Sequence, residues 1–165
     1  MQPTVVVMGV SGCGKTTVGR QVAERLGIPF ADADDFHPRA NVLKMAAGHP
    51  LTDEDRRPWL EECGRWLAQH AGTGCVLACS ALKVAYRDRL RRDVPEAVFV
   101  HLDGPEDVIA RRVAARRGHF MPATLVRSQY DALERLTAGE HGVVVSFDQP
   151  LSAIVRAVLA QLRPA

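Results

Sequence analysis

Hydrophobic positions along this chain follow two alternating rhythms. Short unbroken apolar runs rich in β-branched residues mark buried strands, and longer stretches with apolar positions three and four apart mark amphipathic helices. The first rhythm predicts five strands, at residues 5–9, about 29–31, 75–79, 98–102 and 143–147. The second predicts helices at 16–26, 55–71, 83–92, 105–116, 123–136 and 152–162. Strand and helix in turn are the signature of an α/β fold, a five-stranded parallel sheet flanked on both faces by helices to give three layers. Two stretches break the rhythm. One is polar and runs from Asp32 to Trp59; the other, about 112–136, is rich in Arg and carries a Met-Pro break. Ligands collect at the C-terminal ends of the strands in such sheets, so these stretches are read as a helical substrate-binding insert (about 35–60) and a closing lid. No internal repeat, low-complexity tract or linker divides the chain, which predicts one domain over 1–165.

Composition narrows the class without deciding it. The chain has 165 residues, 47% of them hydrophobic, enough to bury a core without disulfides or metal staples. Its 21 basic and 19 acidic residues nearly cancel, so nothing points to nucleic acid. The N-terminal apolar run is about four or five residues, far short of the roughly 20 that span a bilayer, and no basic leader precedes it; a cytoplasmic protein that needs no membrane is expected. Cysteines 13, 63, 75 and 79 lack the spacing of a zinc site and are read as reduced thiols, with Cys75 and Cys79 filling core. The oligomeric state is not written in the sequence, and a homodimer is left open.

The chemistry enters at Gly9-Val10-Ser11-Gly12-Cys13-Gly14-Lys15-Thr16, which fits the phosphate-loop pattern without a mismatch and lies between a predicted strand and a predicted helix. Gly9, Gly12 and Gly14 let the backbone turn its N–H groups inward, making an anion nest at a helix N-terminus. Ser11, Cys13 and Thr17 belong to the same nucleotide-binding stretch. Lys15 supplies a mobile cation for the β- and γ-phosphates, and the Thr16 hydroxyl suits Mg²⁺. The implied cofactors are ATP and Mg²⁺.

Asp32-Ala33-Asp34-Asp35 follows the second strand at the same sheet edge. Alternation points Asp32 and Asp34 the same way, so Asp32 can join the Mg²⁺ shell while Asp34 meets an acceptor hydroxyl and takes its proton. The competing reading is a solvated turn with helix-capping aspartates, which suits Asp35. The third strand, Val76-Leu77-Ala78-Cys79-Ser80, has no Asp to hold the metal, so that duty falls elsewhere.

Further segments carry a resemblance. His37-Pro38-Arg39-Ala40-Asn41-Val42-Leu43-Lys44-Met45 and Gly48 to Leu60 closely resemble gluconate kinase, a family of P-loop kinases. So do Cys79-Ser80-Ala81-Leu82-Lys83 with Tyr86-Arg87-Asp88, Gly118-His119-Phe120-Met121-Pro122, and Ser128-Gln129-Tyr130. Five ordered pieces cover nearly the whole chain; Thr16 where many relatives have Ser, and Cys13 where Ser is common, are small departures. The resemblance implies the P-loop kinase fold and transfer of the γ-phosphoryl group of ATP to the 6-hydroxyl of D-gluconate, a small-molecule substrate, feeding sugar-acid catabolism and the pentose phosphate pathway. Gluconate needs a cation at one end and mixed donors and acceptors along the rest. His37, Asn41, Lys44, Asp53 and Arg56 supply that mixture, with Arg56 and Lys44 suited to the carboxylate and Trp59 assigned to the core; for His37 a capping or packing role beside Pro38 is nearly as good a reading. Ser80 lets the sugar chain approach the backbone, Lys83 faces the carboxylate or caps a helix, and Arg87 is a lesser candidate on a helix whose buried face is Tyr86 and Leu90. Among the lid arginines, kinship with small-molecule kinases assigns Arg112 to adenine stacking and Arg116 to phosphate, leaving Arg111 and Arg117 to solvent. Shikimate kinase, or another small-acid kinase of the same fold, shares the loop and the Asp-x-Asp arrangement but not the His-Pro-x-x-Asn-x-x-Lys-Met run. A nucleotide-dependent binding module without transfer chemistry is the reading from another class.

Overall fold

A computed structural model describes residues 2–115 and 123–162 of the chain. The five apolar runs become β1 (Thr4–Met8), β2 (Phe30–Asp32), β3 (Cys75–Ala78), β4 (Val98–Asp103) and β5 (Gly142–Ser146). All are parallel, in the order β2-β3-β1-β4-β5. Around them pack α1 (Lys15–Leu26), α2 (Arg39–Ala46), α3 (Asp53–His70), α4 (Val84–Asp93), α5 (Glu106–Ala115), α6 (Ala123–Ala132) and α7 (Leu151–Leu162).

The central strand explains the three layers. Side chains along β1 alternate between faces, and every one from Val5 to Met8 is fully buried. Val5 and Val7 join a core built with Val18 and Val22 of α1, Ile109 of α5 and Val158 of α7. Val6 and Met8 join the opposite core, with Leu60 and Leu67 of α3 and Leu90 of α4. Burying a Val, Leu or Met side chain contributes roughly 1.5–3 kcal/mol, and β1 collects that on both faces, which fixes the loop at its end. Trp59 lies in the second core, 3% exposed.

The polar stretch after β2 is helical, as expected of the insert: it holds a 3₁₀ turn (Ala33–Phe36), then α2, then the start of α3. Two helix ends differ from the sequence expectation. Helix α3 begins two residues before position 55 because Thr52 and Asp55 form a capping box; the Thr52 hydroxyl accepts from the Asp55 N–H at 3.1 Å and the Asp55 carboxylate accepts from the Thr52 N–H at 2.9 Å. Helix α6 stops at Ala132, short of position 136, because Glu134 turns away to α4. Its N–H donates to the Leu82 carbonyl at 2.7 Å, and its carboxylate accepts from the Val84 N–H at 2.7 Å.

Candidate active site

At the C-terminal ends of β1 and β3 opens a cavity of about 450 Å³, whose lining includes Ser11, Lys15, Thr16, Asp32, Asp34 and Ser80. The phosphate loop forms its floor. Gly9 must be glycine: its φ is 147°, and a Cβ there would lie 2.7 Å from the Cys13 Sγ and 2.8 Å from the Leu102 carbonyl oxygen. Gly14, at φ 99°, caps α1 in the left-handed region and aims the helix N-terminus at the cavity. Gly12, Gly14 and Thr17 also line it. The Lys15 ammonium donates to the carbonyls of Gly9 and Val10 at 3.0 and 3.1 Å, so the cation is tethered to its own loop. Cys13 contributes no side chain to the cavity. Its thiol is buried in the first core, and burial, only partly opposed by Lys15, raises its pKa.

The two aspartates meet at the cavity for a reason other than alternation. Asp32 ends β2, and its carboxylate caps the 3₁₀ turn by accepting from the Asp34 N–H at 2.9 Å. Capping and site roles therefore coincide in one residue. The other oxygen of Asp32 accepts from the Thr16 hydroxyl at 2.7 Å, which brings two hard oxygen donors together beside the loop. This pair fits Mg²⁺: the Thr16 proton is spent on Asp32, leaving the lone pairs of Oγ1 free for a cation. Among the described residues no three His, Cys, Asp or Glu side chains are arranged to hold a metal by themselves, in keeping with an ion that arrives with phosphates. Asp34 has its pKa raised, chiefly by desolvation and then by the charge of Asp32. Such a carboxylate is a better proton acceptor than a free one.

The insert follows directly on Asp34, but none of its residues is among those lining the cavity, and the structure sorts its polar residues. His37 stacks on Trp59, ring centroids 4.4 Å apart and nearly parallel, and burial lowers its pKa, so it packs as a neutral ring. Asn41 is 5% exposed and donates to the Asp55 carbonyl at 2.8 Å, with His37 Nδ1 at 3.3 Å, which commits its amide to the insert itself. Lys44 is bonded to Asp55 at 2.5 Å, and hydrogen bonds from Lys44 and Thr52 hold the Asp55 pKa down to about 2. Its charge is thus answered within the insert.

A second cation group lies at the start of α3. Arg56 donates to the Leu51 carbonyl at 2.7 Å and the Tyr86 hydroxyl at 3.3 Å, and its guanidinium stands over the Tyr86 ring. Lys83 sits 3.6 Å from Asp53, whose carboxylate also accepts from the Tyr86 hydroxyl. Lys83 occupies the cap position of α4 without capping it by its side chain.

Arg87 corrects the sequence reading. Its side chain is fully buried and cannot meet substrate. It donates to Glu140 at 2.7 Å, the Ala81 carbonyl at 2.8 Å and the Glu134 carbonyl at 2.8 Å. Ala81, at φ 42°, is a non-glycine residue in the left-handed region, and it lies next to Ser80 at the cavity. Arg87 therefore holds the strained turn that presents Ser80.

Arg112 reaches from α5 to the loop after β5, donating to the Phe147 carbonyl at 3.0 Å and standing 5.0 Å over the Phe147 ring. It also approaches the Gly12 carbonyl at 3.5 Å, so it borders the phosphate loop. Arg111 is exposed, as expected. Arg116, Arg117 and the His119 to Pro122 tip lie outside the described residues.

Sequence reasoning missed one contact to the loop. Gln129 of α6 accepts from the Ser11 N–H at 3.0 Å. The signal was present: Val126, Gln129, Tyr130 and Leu133 recur at helical spacing, and a polar residue within an otherwise apolar stripe asks for a partner.

Comparisons with known proteins bear on this site. Residues 11–156 match the Shikimate kinase family. The chain is 54% identical over 132 residues to the gluconokinase of Gluconobacter oxydans (strain 621H), spanning 79% of this chain and 74% of that protein. It is 42% identical over 161 residues to the thermoresistant gluconokinase of Escherichia coli (strain K12), spanning 96% and 92%. A crystal structure of a gluconokinase from Sinorhizobium meliloti 1021 superposes with a TM-score of 0.90 at 47% identity, covering 97% of this chain and 91% of that one. Identity at this level over most of both chains, on a fold that superposes so closely, places the chain in the gluconokinase family, within the wider shikimate kinase family.

Proposed function

We propose that this chain transfers the γ-phosphoryl group of ATP to the 6-hydroxyl of D-gluconate, giving 6-phospho-D-gluconate. The observation that carries the reading is one cavity lined by both the phosphate loop and Asp34, a carboxylate with a raised pKa. In phosphoryl transfer the protein positions two substrates and balances charge. Loop N–H groups and Lys15 bind the phosphates. Asp34 orients the acceptor hydroxyl and takes its proton late, once bonding to the leaving oxygen is largely broken. Thr16 and Asp32 would hold Mg²⁺, which supplies positive charge against the phosphoryl oxygens when bound. Arg116, on the lid, is assigned to phosphate, and Arg112 to the edge of the adenine site.

For the acceptor's carboxylate, Arg56 is the better-placed cation, because Lys44 is bonded to Asp55 at 2.5 Å and Lys83, the next candidate, stands 3.6 Å from Asp53. Tyr86 and Asp53 add a hydroxyl and an acceptor on the same side, suited to a chain of hydroxyl groups. No helix among the described residues is long and apolar enough to cross a membrane, and we place the enzyme in the cytoplasm, where ATP is made available. The family match favours a second reading, a shikimate acceptor; the gluconokinase relatives at 42–54% identity weigh against it. ADP release measured with gluconate, shikimate, other sugar acids and AMP tests the two. Gluconate is expected to dominate, and turnover of shikimate in its place would overturn the assignment.

A further inference from the structure

Gln129 reaches the phosphate loop from α6, across 118 positions of sequence. Its carboxamide oxygen accepts the N–H of Ser11, third residue of the loop. The carbonyl of the same peptide unit, that of Val10, accepts from the Lys15 ammonium at 3.1 Å and from the Cys13 N–H at 3.2 Å. One peptide plane is therefore gripped at both ends, by Gln129 on its N–H and by the loop's own cation on its oxygen. Hydrogen bonds on the two ends of an amide polarise one another, and a plane fixed at its N–H cannot rotate its carbonyl away from Lys15. The donor also settles the orientation of the Gln129 amide, because an N–H can only be met by the oxygen.

The helix carrying Gln129 is itself pinned. Val126 is 3% exposed in the first core. The Tyr130 hydroxyl donates to the Gly104 carbonyl at 3.0 Å, and Arg127 pairs with Glu106 at 2.8 Å. Gln129 is thus presented by a helix tied to the turn after β4 and to the start of α5, which suits a group that sets geometry.

We propose that Gln129 is a positioning residue for phosphoryl transfer: through the Val10–Ser11 peptide it sets the path of the phosphate loop and the point from which Lys15 works. This rests on the ATP-dependent reading above. It assigns the role to a neutral acceptor. A Gln129→Leu side chain keeps the bulk and leaves the Ser11 N–H without its partner. A Gln129→Glu side chain keeps an acceptor oxygen but sets a negative charge beside the phosphate loop, which opposes the more highly charged nucleotide more strongly.

The test measures kcat and KM for ATP and gluconate, ATP and ADP binding by titration, and Tm, on the parent protein and both variants. For Gln129→Leu, kcat/KM for ATP should fall about 10- to 100-fold, the range expected when a reacting group is misplaced by an ångström or less. The gluconate KM should stay within about twofold and Tm within a few degrees. For Gln129→Glu, ADP binding should return to near the parent value while ATP binding stays weakened, because only ATP brings the third phosphoryl group. The proposal is overturned if Gln129→Leu keeps kcat and the ATP KM within twofold, if the gluconate KM rises in step with the ATP KM, or if a falling Tm accounts for the whole loss. Parent protein that binds nucleotide but turns over no gluconate would instead refute the substrate assignment, while the binding titrations would still judge Gln129.

Discussion

Asp34 and Arg56 divide the acceptor's two ends. If Asp34 takes the hydroxyl proton, kcat/KM should show an acid limb set by its ionisation. Its pKa is raised by desolvation and by the charge of Asp32, so protonation sets in at a higher pH than for a free Asp and the limb should be displaced the same way. Asp34→Asn keeps size and hydrogen-bonding reach but cannot accept the proton; turnover should drop by roughly two to four orders of magnitude, with gluconate binding much less changed. A limb no higher than a free Asp would give, or near-normal turnover of the amide variant, would remove the base from this position. Arg56 is tested by comparing gluconate with glucitol, which lacks the carboxylate. Losing a charged hydrogen bond in a closed site costs on the order of 2–4 kcal/mol, about 30- to 1000-fold in efficiency. Arg56→Ala should therefore impair the acid strongly and the polyol little, although both lose the contacts to Leu51 and Tyr86. Equal losses would make Arg56 structural and bring forward Lys83. The aspartates show what a sequence can and cannot give at this scale. Their place at the sheet edge was legible, but the 3₁₀ turn that aims Asp34 was not, because alternation holds only while the strand continues. Lys44 and Arg87 read as free cations since nothing local announces a partner; for Arg87 that partner is Glu140, 53 residues on.

Between elements, the segment after α6 ties the substrate side of the site to the rest. Glu134 bonds the turn before α4 through both its N–H and its carboxylate, and Arg87 and Arg91 converge on Glu140. Burial pushes the Glu140 pKa up, but hydrogen bonds from Arg87, the Thr137 N–H and Arg91 prevail and hold it at about 2. An unfolded Glu titrates near 4.3. Above that pH the network's full contribution is present. As pH falls from about 4.5 toward 2, the unfolded chain takes up a proton that the folded chain resists, and stability drains away. Denaturant melts across this window should show a decline that is reduced in Glu140→Gln, which does not titrate. An identical pH dependence in the two proteins would show that the network carries no acid sensitivity. Arg87 is the wrong residue for that comparison, because removing it also takes the donor from the Ala81 and Glu134 carbonyls and leaves Arg91 as the one cation on the buried Glu140 carboxylate. Such connections were invisible beforehand: helix periodicity placed Tyr86 and Leu90 on the buried face correctly, yet position 87 shares that face and carries a charge.

At the scale of the whole molecule, the five strands and their flanking helices were legible to within a residue or two in most cases. Unbroken apolar runs leave few alternatives, and β1 buries both of its faces. The insert was harder to read, because α2 is held by Asn41 and Lys44 reaching α3 as much as by an apolar stripe, and it leaves Val42, Leu43 and Met45 exposed. All four cysteines are free and buried, Cys13 in one core and Cys63, Cys75 and Cys79 in the other. A thiol-reactive chromophore added to native protein should accordingly find almost nothing, and four groups once the fold is opened by denaturant; rapid reaction of one group in the native protein would contradict the placement. Practical use follows from this. The folded protein offers electrophiles no anchor, so a phosphate-loop cysteine that invites covalent inhibitors on paper is closed to them, and one cysteine introduced at an exposed position becomes a unique handle for a dye or spin label, with no need to strip out the native four.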